Sequence, residues 1–332
     1  ISENEITGAG DGIIIQEGSN FNEVSENYLE GSHDVVCTGI AIGSSKNKIL
    51  RNTITHYFSA GVYLSYASEN IIYGNNITFN GGAGINLYEL ADNNTIAGNT
   101  IAANGYGIYI SDASGNRIYH NNFYWNGEDI FIQNEVVNYF DGGYPLGGNF
   151  WHGHAEPDLY HGPNQNVEGS DGIVDEPCTT IPGLVDRYPL CSNFTSLPPI
   201  TIGDLVFNIE VVSNSTVSGL YINPNEGSFI KINVTGADGT QGFARITIPK
   251  SLLWTENGWT ITINGESITD YLELSDEENT YLYFSYNHST KTVTIQGTHI
   301  IPEFPTSVIQ PILIIPSTII IIIYQRKRKK PI

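Results

Sequence analysis

The sequence repeats itself at a nearly constant interval between residues 47 and 126. One eight-residue phrase that begins with asparagine occurs four times, at steps of 23, 24 and 22 residues: NKILRNTI from Asn47, NIIYGNNI from Asn70, NTIAGNTI from Asn94 and NRIYHNNF from Asn116. A second phrase that begins with glycine lies between the copies: GIII from Gly12, GIAI from Gly39, GVYL from Gly61, GINL from Gly84 and GIYI from Gly107. Short β-rich runs with this period are typical of stacked coils, in which each repeat buries its apolar side chains only against its neighbours. The repeat therefore predicts a solenoid.

Each coil is expected to carry three short strands, and successive coils would stack as parallel strands about 4.8 Å apart. Alternation within the phrases turns one set of apolar side chains inward. Two interior rows are predicted to contain Ile49, Ile54, Ile71, Ile77, Ile96, Ile101, Ile118 and Phe123. A third row is predicted to contain Ile40, Val62, Ile85, Ile108 and Ile130.

The recurring asparagines are interpreted as structural residues. Asparagine tolerates a left-handed backbone, and its amide can form local hydrogen bonds, so it suits the corner between two strands. When the same residue recurs in register, its side chains can also bond from coil to coil. Two such ladders are predicted, one through Asn47, Asn70, Asn94 and Asn116 and the other through Asn52, Asn75, Asn99 and Asn121.

These repeats resemble the right-handed parallel β-helix family that includes NosD-like periplasmic proteins and the carbohydrate-binding and sugar-hydrolysis repeat domains. The resemblance covers roughly residues 1–150. It implies the fold rather than an activity, because the same coil hosts binders, lyases, epimerases and hydrolases. A NosD-like protein would also be expected to bind copper. However, the chain has no methionine, and its coil histidines (His33, His56 and His120) are isolated in the sequence, which argues against a soft-ligand copper site.

After the coils, turn-rich sequence leads into runs with β alternation, such as SFIKINV and YLYFSY, which predict a small immunoglobulin-like sandwich. The predicted fold class is all-β, with one C-terminal transmembrane helix. The expected segments are a right-handed parallel β-helix (1–140), a Gly/Asp-rich connector or cap (141–196), a β-sandwich stalk (197–299), a linker (300–306), the transmembrane helix (307–324) and a basic cytoplasmic tail (325–332).

The C-terminal end predicts the location. Residues 307–324 are 18 residues without a charge, which as a helix would span about 27 Å, enough for one membrane crossing. The basic residues that follow predict a cytoplasmic tail and therefore an extracellular body. The IPEFP segment from Ile301, followed by the apolar span and basic tail, resembles the C-terminal anchors of archaeal surface proteins. A single-pass protein of the cell membrane is expected.

The charge distribution restricts the partners. The chain has 14 basic and 35 acidic residues, and five of the basic residues lie at positions 326–330. Nine basic residues remain against all 35 acidic ones, so the body carries a net charge of −26. Such a body repels phosphate backbones, which excludes nucleic acid binding through a basic patch. It also disfavours anionic polymers such as polyuronates as ligands.

An outside location would permit disulfide bonds. Cys178 and Cys191 lie 13 residues apart in a loop-rich stretch and could form one in an oxidising compartment. Cys37 is then left over and is predicted to be a small buried side chain.

Aromatic residues recur on the predicted outer face of the glycine phrase. The residue after the inward isoleucine faces outward, and tyrosines stand nearby. Aromatic rings on a polar coil suit sugar stacking because they offer flat apolar faces with polar tips, although exposed tyrosine also simply suits β surfaces. The predicted carbohydrate contacts are Tyr63, Tyr66, Tyr88, Tyr109 and Phe131.

Two carboxylates provide a catalytic alternative. Glu89 and Asp112 each lie five residues after the glycine of the phrase, at equivalent corners of adjacent coils. Carboxylates about 5 Å apart suit a retaining glycosidase, and about 6.5–9.5 Å apart an inverting one. The alternative is a pair of solvated turn residues. Few basic residues occur in the coils, which disfavours a lyase.

The connector contains two candidate metal sites. From Asn164 it reads N-x-N-x-E-G, with an aspartate at the twelfth place, close to the spacing of a calcium loop. Neutral asparagine at the first and third places predicts low affinity, and a turn-rich cap is the alternative. The predicted calcium ligands are Asn164, Asn166, Glu168, Asp171 and Asp175. The histidine cluster could bind zinc or copper: His152, His154 and His161.

The sequence favours a membrane-anchored cell-surface β-helix protein that binds carbohydrate, such as a surface polysaccharide, or serves as a structural module. The first alternative is a polysaccharide-acting hydrolase, lyase or epimerase that uses Glu89 and Asp112. The second is binding of copper or calcium. Binding is preferred over catalysis because no row of basic or acidic residues accompanies the aromatic residues.

Overall fold

The computed structural model describes residues 1–8, 10–134, 136–179 and 183–301. Within these ranges the chain forms 34 β-strands, numbered β1–β34 in chain order, and no helix. The described ranges accordingly contain no helix that is long and apolar enough to span a membrane. The predicted transmembrane helix and basic tail, residues 307–332, lie outside the described residues.

The N-terminal part is a parallel β-helix built of three sheets whose strands recur once per coil. Sheet A contains β3 (Glu23–Ser25), β6 (Lys48–Leu50), β9 (Ile71–Tyr73), β12 (Thr95–Ala97) and β15 (Arg117–Tyr119). Sheet B contains β1 (Glu5–Thr7), β4 (Tyr28–Glu30), β7 (Thr53–Thr55), β10 (Asn76–Thr78), β13 (Thr100–Ala102), β16 (Asn122–Tyr124) and β18 (Phe150–Trp151). Sheet C contains β2 (Ile13–Ile15), β5 (Thr38–Ile42), β8 (Ala60–Ser65), β11 (Ala83–Tyr88), β14 (Tyr106–Ser111) and β17 (Glu128–Gln133).

The interior is made of stacked apolar side chains, as predicted, with one correction. The third row is confirmed, since Ile40, Val62, Ile85, Ile108 and Ile130 are all completely buried. In sheet A, however, Ile49 pairs with Ile72 rather than Ile71, and Ile71 points outward and is 39% exposed. Counting from the asparagine that opens each phrase gives this register, because Ile49 and Ile72 both stand two positions after it.

The predicted asparagine ladders are confirmed, and they extend further than predicted. In each ladder the side-chain oxygen of one asparagine accepts the backbone N–H and the side-chain amide of the asparagine one coil earlier. The first ladder runs through Asn22, Asn47, Asn70, Asn94, Asn116 and Asn138. The second runs through Asn4, Asn27, Asn52, Asn75, Asn99, Asn121 and Asn149. A third, not predicted, contains Asn80, Asn104 and Asn126.

The connector closes the C-terminal end of the coils. Its strand β18 extends sheet B, and β19 (Tyr160–His161) and β20 (Val167–Glu168) form a hairpin. The second ladder ends on Asp186, whose carboxylate accepts the backbone N–H of Asn149 at 2.8 Å and the indole N–H of Trp151 at 2.8 Å. Burial raises the pKa of Asp186 to about 7. A carboxylate therefore takes the place that another asparagine would occupy.

The second domain is a β-sandwich of two five-stranded antiparallel sheets that share one apolar core. The first sheet contains β21 (Phe194–Ser196), β24 (Glu210–Ser213), β27 (Gln241–Pro249), β32 (Asn279–Asn287) and β31 (Leu272–Ser275). The second contains β25 (Thr216–Ile222), β26 (Phe229–Thr235), β33 (Lys291–Gln296), β29 (Thr260–Ile263) and β30 (Glu266–Ile268). Two-stranded additions are β22 (Ile200–Ile202) with β23 (Leu205–Phe207), and β28 (Leu253–Trp254) with β34 (His299–Ile300).

The sandwich packs directly against the last coils of the β-helix. The side chain of Asn122 bonds both the N–H and the C=O of Phe194, each at 2.8 Å. The imidazole of His120 stacks on the ring of Phe194, with 4.4 Å between centroids. Complete burial lowers the pKa of His120 to about 4, so the imidazole is neutral at physiological pH. The hydroxyl of Tyr73 donates to the carboxylate of Glu210 at 2.8 Å.

Candidate functional site

The outward face of sheet C carries the predicted aromatic residues in one row. Parallel pairing places Tyr63 beside Asn86, Asn86 beside Tyr109, and Tyr109 beside Phe131 on four successive coils. Strand alternation explains the exposure, because each of these residues follows an isoleucine or valine that points into the core. The order of the row agrees with the sequence pattern.

The rings of this face form two separate clusters. Tyr63 stacks on Tyr88, with 6.3 Å between ring centroids. Tyr109 stacks on Phe131 at 5.2 Å, and Tyr106 contacts both rings at 5.7 and 5.3 Å. Tyr106 was not predicted as a site residue. The sequence contained one signal for it. Tyr106 occupies the position at which the two preceding coils have alanine, Ala83 and Ala60.

At the edge of this face, Tyr66 and Glu89 form a hydrogen-bonded pair. The phenol of Tyr66, which is 63% exposed, donates to the Glu89 carboxylate at 2.7 Å. This hydrogen bond is the main reason that the pKa of Tyr66 is raised. A hydrogen bond with Glu89 likewise raises the pKa of Tyr88. All five predicted carbohydrate contacts therefore lie on or beside sheet C.

The two candidate catalytic carboxylates stand on neighbouring coils but have different partners. Glu89 donates its backbone N–H to the carbonyl oxygen of Ser111, one residue before Asp112. Its carboxylate accepts from Tyr66, whereas the Asp112 carboxylate accepts the amide of Asn134 at 2.9 Å and the hydroxyl of Ser111 at 3.3 Å. The Glu89 side chain is thus bonded to the coil before it, and the Asp112 side chain to the coil after it.

The predicted calcium ligands have separate partners in the connector. The carboxylate of Asp175 accepts the backbone N–H groups of Leu159 and Tyr160. The completely buried Asp171 accepts the N–H of Ile173, while its second oxygen has no hydrogen-bond partner. The three remaining candidates are exposed: Asn164, Asn166 and Glu168. Over the ranges that the structure describes, no group of three or more His, Cys, Asp or Glu side chains could hold a metal ion.

The three connector histidines take up different surroundings. The ring of His152 lies 5.2 Å from that of Trp125 and 5.7 Å from that of Tyr124. His154 bonds through Nε2 to the carbonyl oxygen of Glu176, and His161 belongs to the β19–β20 hairpin. Trp125 is 72% exposed, so this corner is a second aromatic surface that the sequence pattern did not reveal.

The predicted disulfide bond is absent, because Cys191 carries a free thiol. Cys178 packs into the apolar core of the β-helix, whereas Cys191 lies beside Asp158 on the sandwich side of the connector. Burial, together with a hydrogen bond to the Asp158 carboxylate, raises the pKa of the Cys191 thiol well above its ordinary value. Two different packing environments separate these cysteines, which sequence spacing could not show. Cys37 is buried, as predicted.

Known structures show limited similarity. A double mutant of the periplasmic alginate epimerase AlgG is 20% identical over 42% of this chain and 38% of its own, with a TM-score of 0.35. Full-length tailspike protein 2 of an Escherichia coli O157:H7 bacteriophage is 12% identical over 87% of this chain and 47% of its own, with a TM-score of 0.34. The Dettilon tailspike protein is 14% identical over 86% of this chain and 74% of its own, with a TM-score of 0.26. No curated protein matches the chain significantly.

The family comparison covers the coils. Residues 1–156 match the family model described as periplasmic copper-binding protein (NosD). The residues present do not fit a copper site, because the chain has no methionine and the described side chains include no metal-binding group of three or more. His120, for example, is buried against Phe194 and bonds the carbonyl oxygen of Leu146. The family match over residues 1–156 and the three stacked sheets together support a NosD-like parallel β-helix.

Proposed function

We propose that the protein is a surface module that binds a neutral polysaccharide along the outer face of sheet C. The observation that carries this proposal is the alignment of Tyr63, Tyr109 and Phe131 on one face, joined by Tyr66 and Tyr88 at its edge. Aromatic side chains provide apolar surface for the faces of sugar rings, and tyrosine hydroxyls provide polar tips for their hydroxyl groups. A flat solenoid face suits an extended polymer.

The charges around this face support a neutral ligand. Glu89 and Asp112 lie at its edge, and Glu128 pairs beside Tyr106 on the neighbouring coil. The body of the chain is strongly acidic as well. A polyuronate would therefore meet like charges, whereas a neutral glycan would not.

We propose binding rather than cleavage. Glu89 is bonded to Tyr66 on the preceding coil and Asp112 to Asn134 on the following coil, so each carboxylate has its partner on the side away from the other. A glycosidase needs an acid and a second carboxylate on either side of one glycosidic bond. We therefore expect no release of reducing ends from a bound polymer.

The proposed location is the outer surface of the cell, with residues 307–324 as a single membrane anchor. Support comes from the sequence: the apolar run ends in a basic cluster, which favours a cytoplasmic tail. The β-helix and sandwich would then stand outside, where polysaccharide is accessible.

Native affinity electrophoresis tests the binding function with gels that contain hydroxyethyl cellulose, galactomannan, laminarin or alginate. We expect retardation by at least one neutral polymer and none by alginate. Tyr109→Ala should weaken the retained interaction about fivefold, because one aromatic contact contributes on the order of 1 kcal/mol.

Tyr28→Ala is the matched control, since Tyr28 lies on sheet B, is 39% exposed and donates its hydroxyl to the Glu30 carboxylate, as Tyr109 donates its own to the side-chain oxygen of Gln133. It should bind like the unmodified protein. Equal losses in both variants, or no retention by any neutral polymer, would show that the sheet C face is not the binding site.

A further inference from the structure

One polar atom on the sheet C face lacks a partner. The side-chain oxygen of Asn86 is buried and forms no hydrogen bond within the protein. The ladder asparagines differ: in the second ladder, for example, the side-chain oxygen of Asn99 accepts two hydrogen bonds from Asn75, both at 2.9 Å. A buried acceptor without a donor is unfavourable, because it has lost its hydrogen bond to water and gained none in the protein. Asn86 is therefore an unfavourable residue for stability at a position where its coil neighbours are aromatic.

The position of Asn86 divides the aromatic face. It lies between Tyr63 on the preceding coil and Tyr109 on the following one. Tyr88 contacts the ring of Tyr63, and Tyr109 belongs to the cluster with Phe131. The short side chain of Asn86 thus stands where the two ring clusters separate.

The spacing between the clusters suits one sugar ring. Strands two coils apart are separated by about 9.5 Å. A ring inserted between them needs about 3.5–4.0 Å for van der Waals contact on each of its two faces. The two contacts together need less than the separation of the strands. A saturated ring could contact Tyr63 and Tyr109 at once, and its donor group would reach the Asn86 oxygen, which is covered in the free protein, when the half-buried amide turns outward.

We propose that Asn86 determines specificity at this face, by accepting a hydrogen bond from a hydroxyl or amide N–H of a sugar ring placed between Tyr63 and Tyr109. This inference rests on the proposed carbohydrate-binding function and adds to it the class of ligand: a neutral glycan with a donor group at this ring. A ligand donor would satisfy the oxygen that the protein itself leaves without a partner. The residue accordingly lowers stability in the free protein and contributes to affinity in the complex.

Asn86→Leu tests this assignment, because leucine has a similar size and no polar atom. We expect affinity for the neutral polymer that the unmodified protein retains to fall about tenfold. The melting temperature of the free variant should stay the same or rise by about 2–4 °C, since a buried unpaired oxygen has been removed.

Asn99→Leu is the matched control within a ladder, and it should lower the melting temperature strongly. An Asn86→Leu variant that melts lower and binds normally would overturn the proposal and assign Asn86 a structural role. If Tyr109→Ala weakens binding while Asn86→Leu does not, the carbohydrate-binding function stands and only the role of Asn86 fails. If neither variant changes binding, both proposals fail.

Discussion

The ladders inside the β-helix and the aromatic face outside it are made from the same repeat, yet asparagine behaves differently in the two regions. Inside, Asn99 accepts two hydrogen bonds from the coil before it and donates to the coil after it. Outside, Asn86 stands between Tyr63 and Tyr109 with its oxygen unpaired. Where asparagine recurs at the same position of every coil, the side-chain amides bond to one another. Where it occurs once in a row of other residues, as at Asn86, its oxygen has no partner.

This difference separates stability from function along one chain. Positions that repeat without variation can pair with themselves, so they hold the coils together. Positions that vary from coil to coil, such as the outward row of Tyr63, Asn86, Tyr109 and Phe131, do not form such ladders and are proposed as the ligand face. Variation between copies is therefore the better guide to a site in a repeat protein.

The largest effect is expected when a ladder is broken. Asn99→Ala should lower the free energy of unfolding by about 3–5 kcal/mol, because several buried amide and carbonyl groups lose their partners at once. Urea denaturation measures the change. Asn86→Ala, the same substitution on the outer face, should cost less than about 1 kcal/mol, and similar costs at both positions would remove the distinction between the two regions.

A somewhat smaller effect is expected for the two isoleucines of strand β9. Ile72→Ala should lower the free energy of unfolding by about 3 kcal/mol, since Ile72 is completely buried in the coil core. Ile71→Ala should cost well under 1 kcal/mol, because the side chain of Ile71 is partly exposed. Denaturation of both variants under the same conditions tests which isoleucine points into the core. A larger loss of stability for Ile71→Ala than for Ile72→Ala would contradict the register.

The smallest effect concerns the carboxylate at the end of the second ladder, since the ladder amides themselves do not titrate. Burial raises the pKa values of Asp186 and Asp158 to about 7. The folded state therefore binds more protons than the unfolded state above pH 4, and stability falls as pH rises through 7. Unfolded His120 releases its proton near pH 6.5, and this partly opposes the loss.

We expect a net loss of about 2 kcal/mol between pH 6 and pH 8, measured by denaturation at each pH. Asp186→Asn should reduce the slope by about two thirds, because Asp158 then remains largely offset by His120, and the exposed Asp238→Asn should leave it unchanged. Stability that rises over this range would show that Asp186 is ionised in the folded protein.

Much of the β-helix was predictable because its repeat is both regular and period-specific. The asparagines at 47, 70, 94 and 116 marked the coil length, and the glycine phrase placed the aromatic row on the outer face. The error at Ile71 arose where two adjacent isoleucines offered two registers, and the position of the preceding asparagine was the signal that resolved it.

The connector was less predictable because it does not repeat. Its spacing of acidic residues predicts a calcium loop, while the structure shows Asp175 accepting backbone N–H groups of Leu159 and Tyr160. Spacing in sequence reports which groups are available. It does not report which backbone amides the chain brings within reach of each carboxylate.

The sequence alone determined that this protein stacks coils, since only neighbouring repeats could bury the recurring isoleucines and pair the recurring asparagines. It also determined which side chains face outward in sheet C. The tertiary structure decided which rings cluster, where the row is interrupted at Asn86, and how the sandwich packs on the last coils through Asn122 and Phe194. These features depend on contacts between residues with no common period, and a repeat carries no information about them.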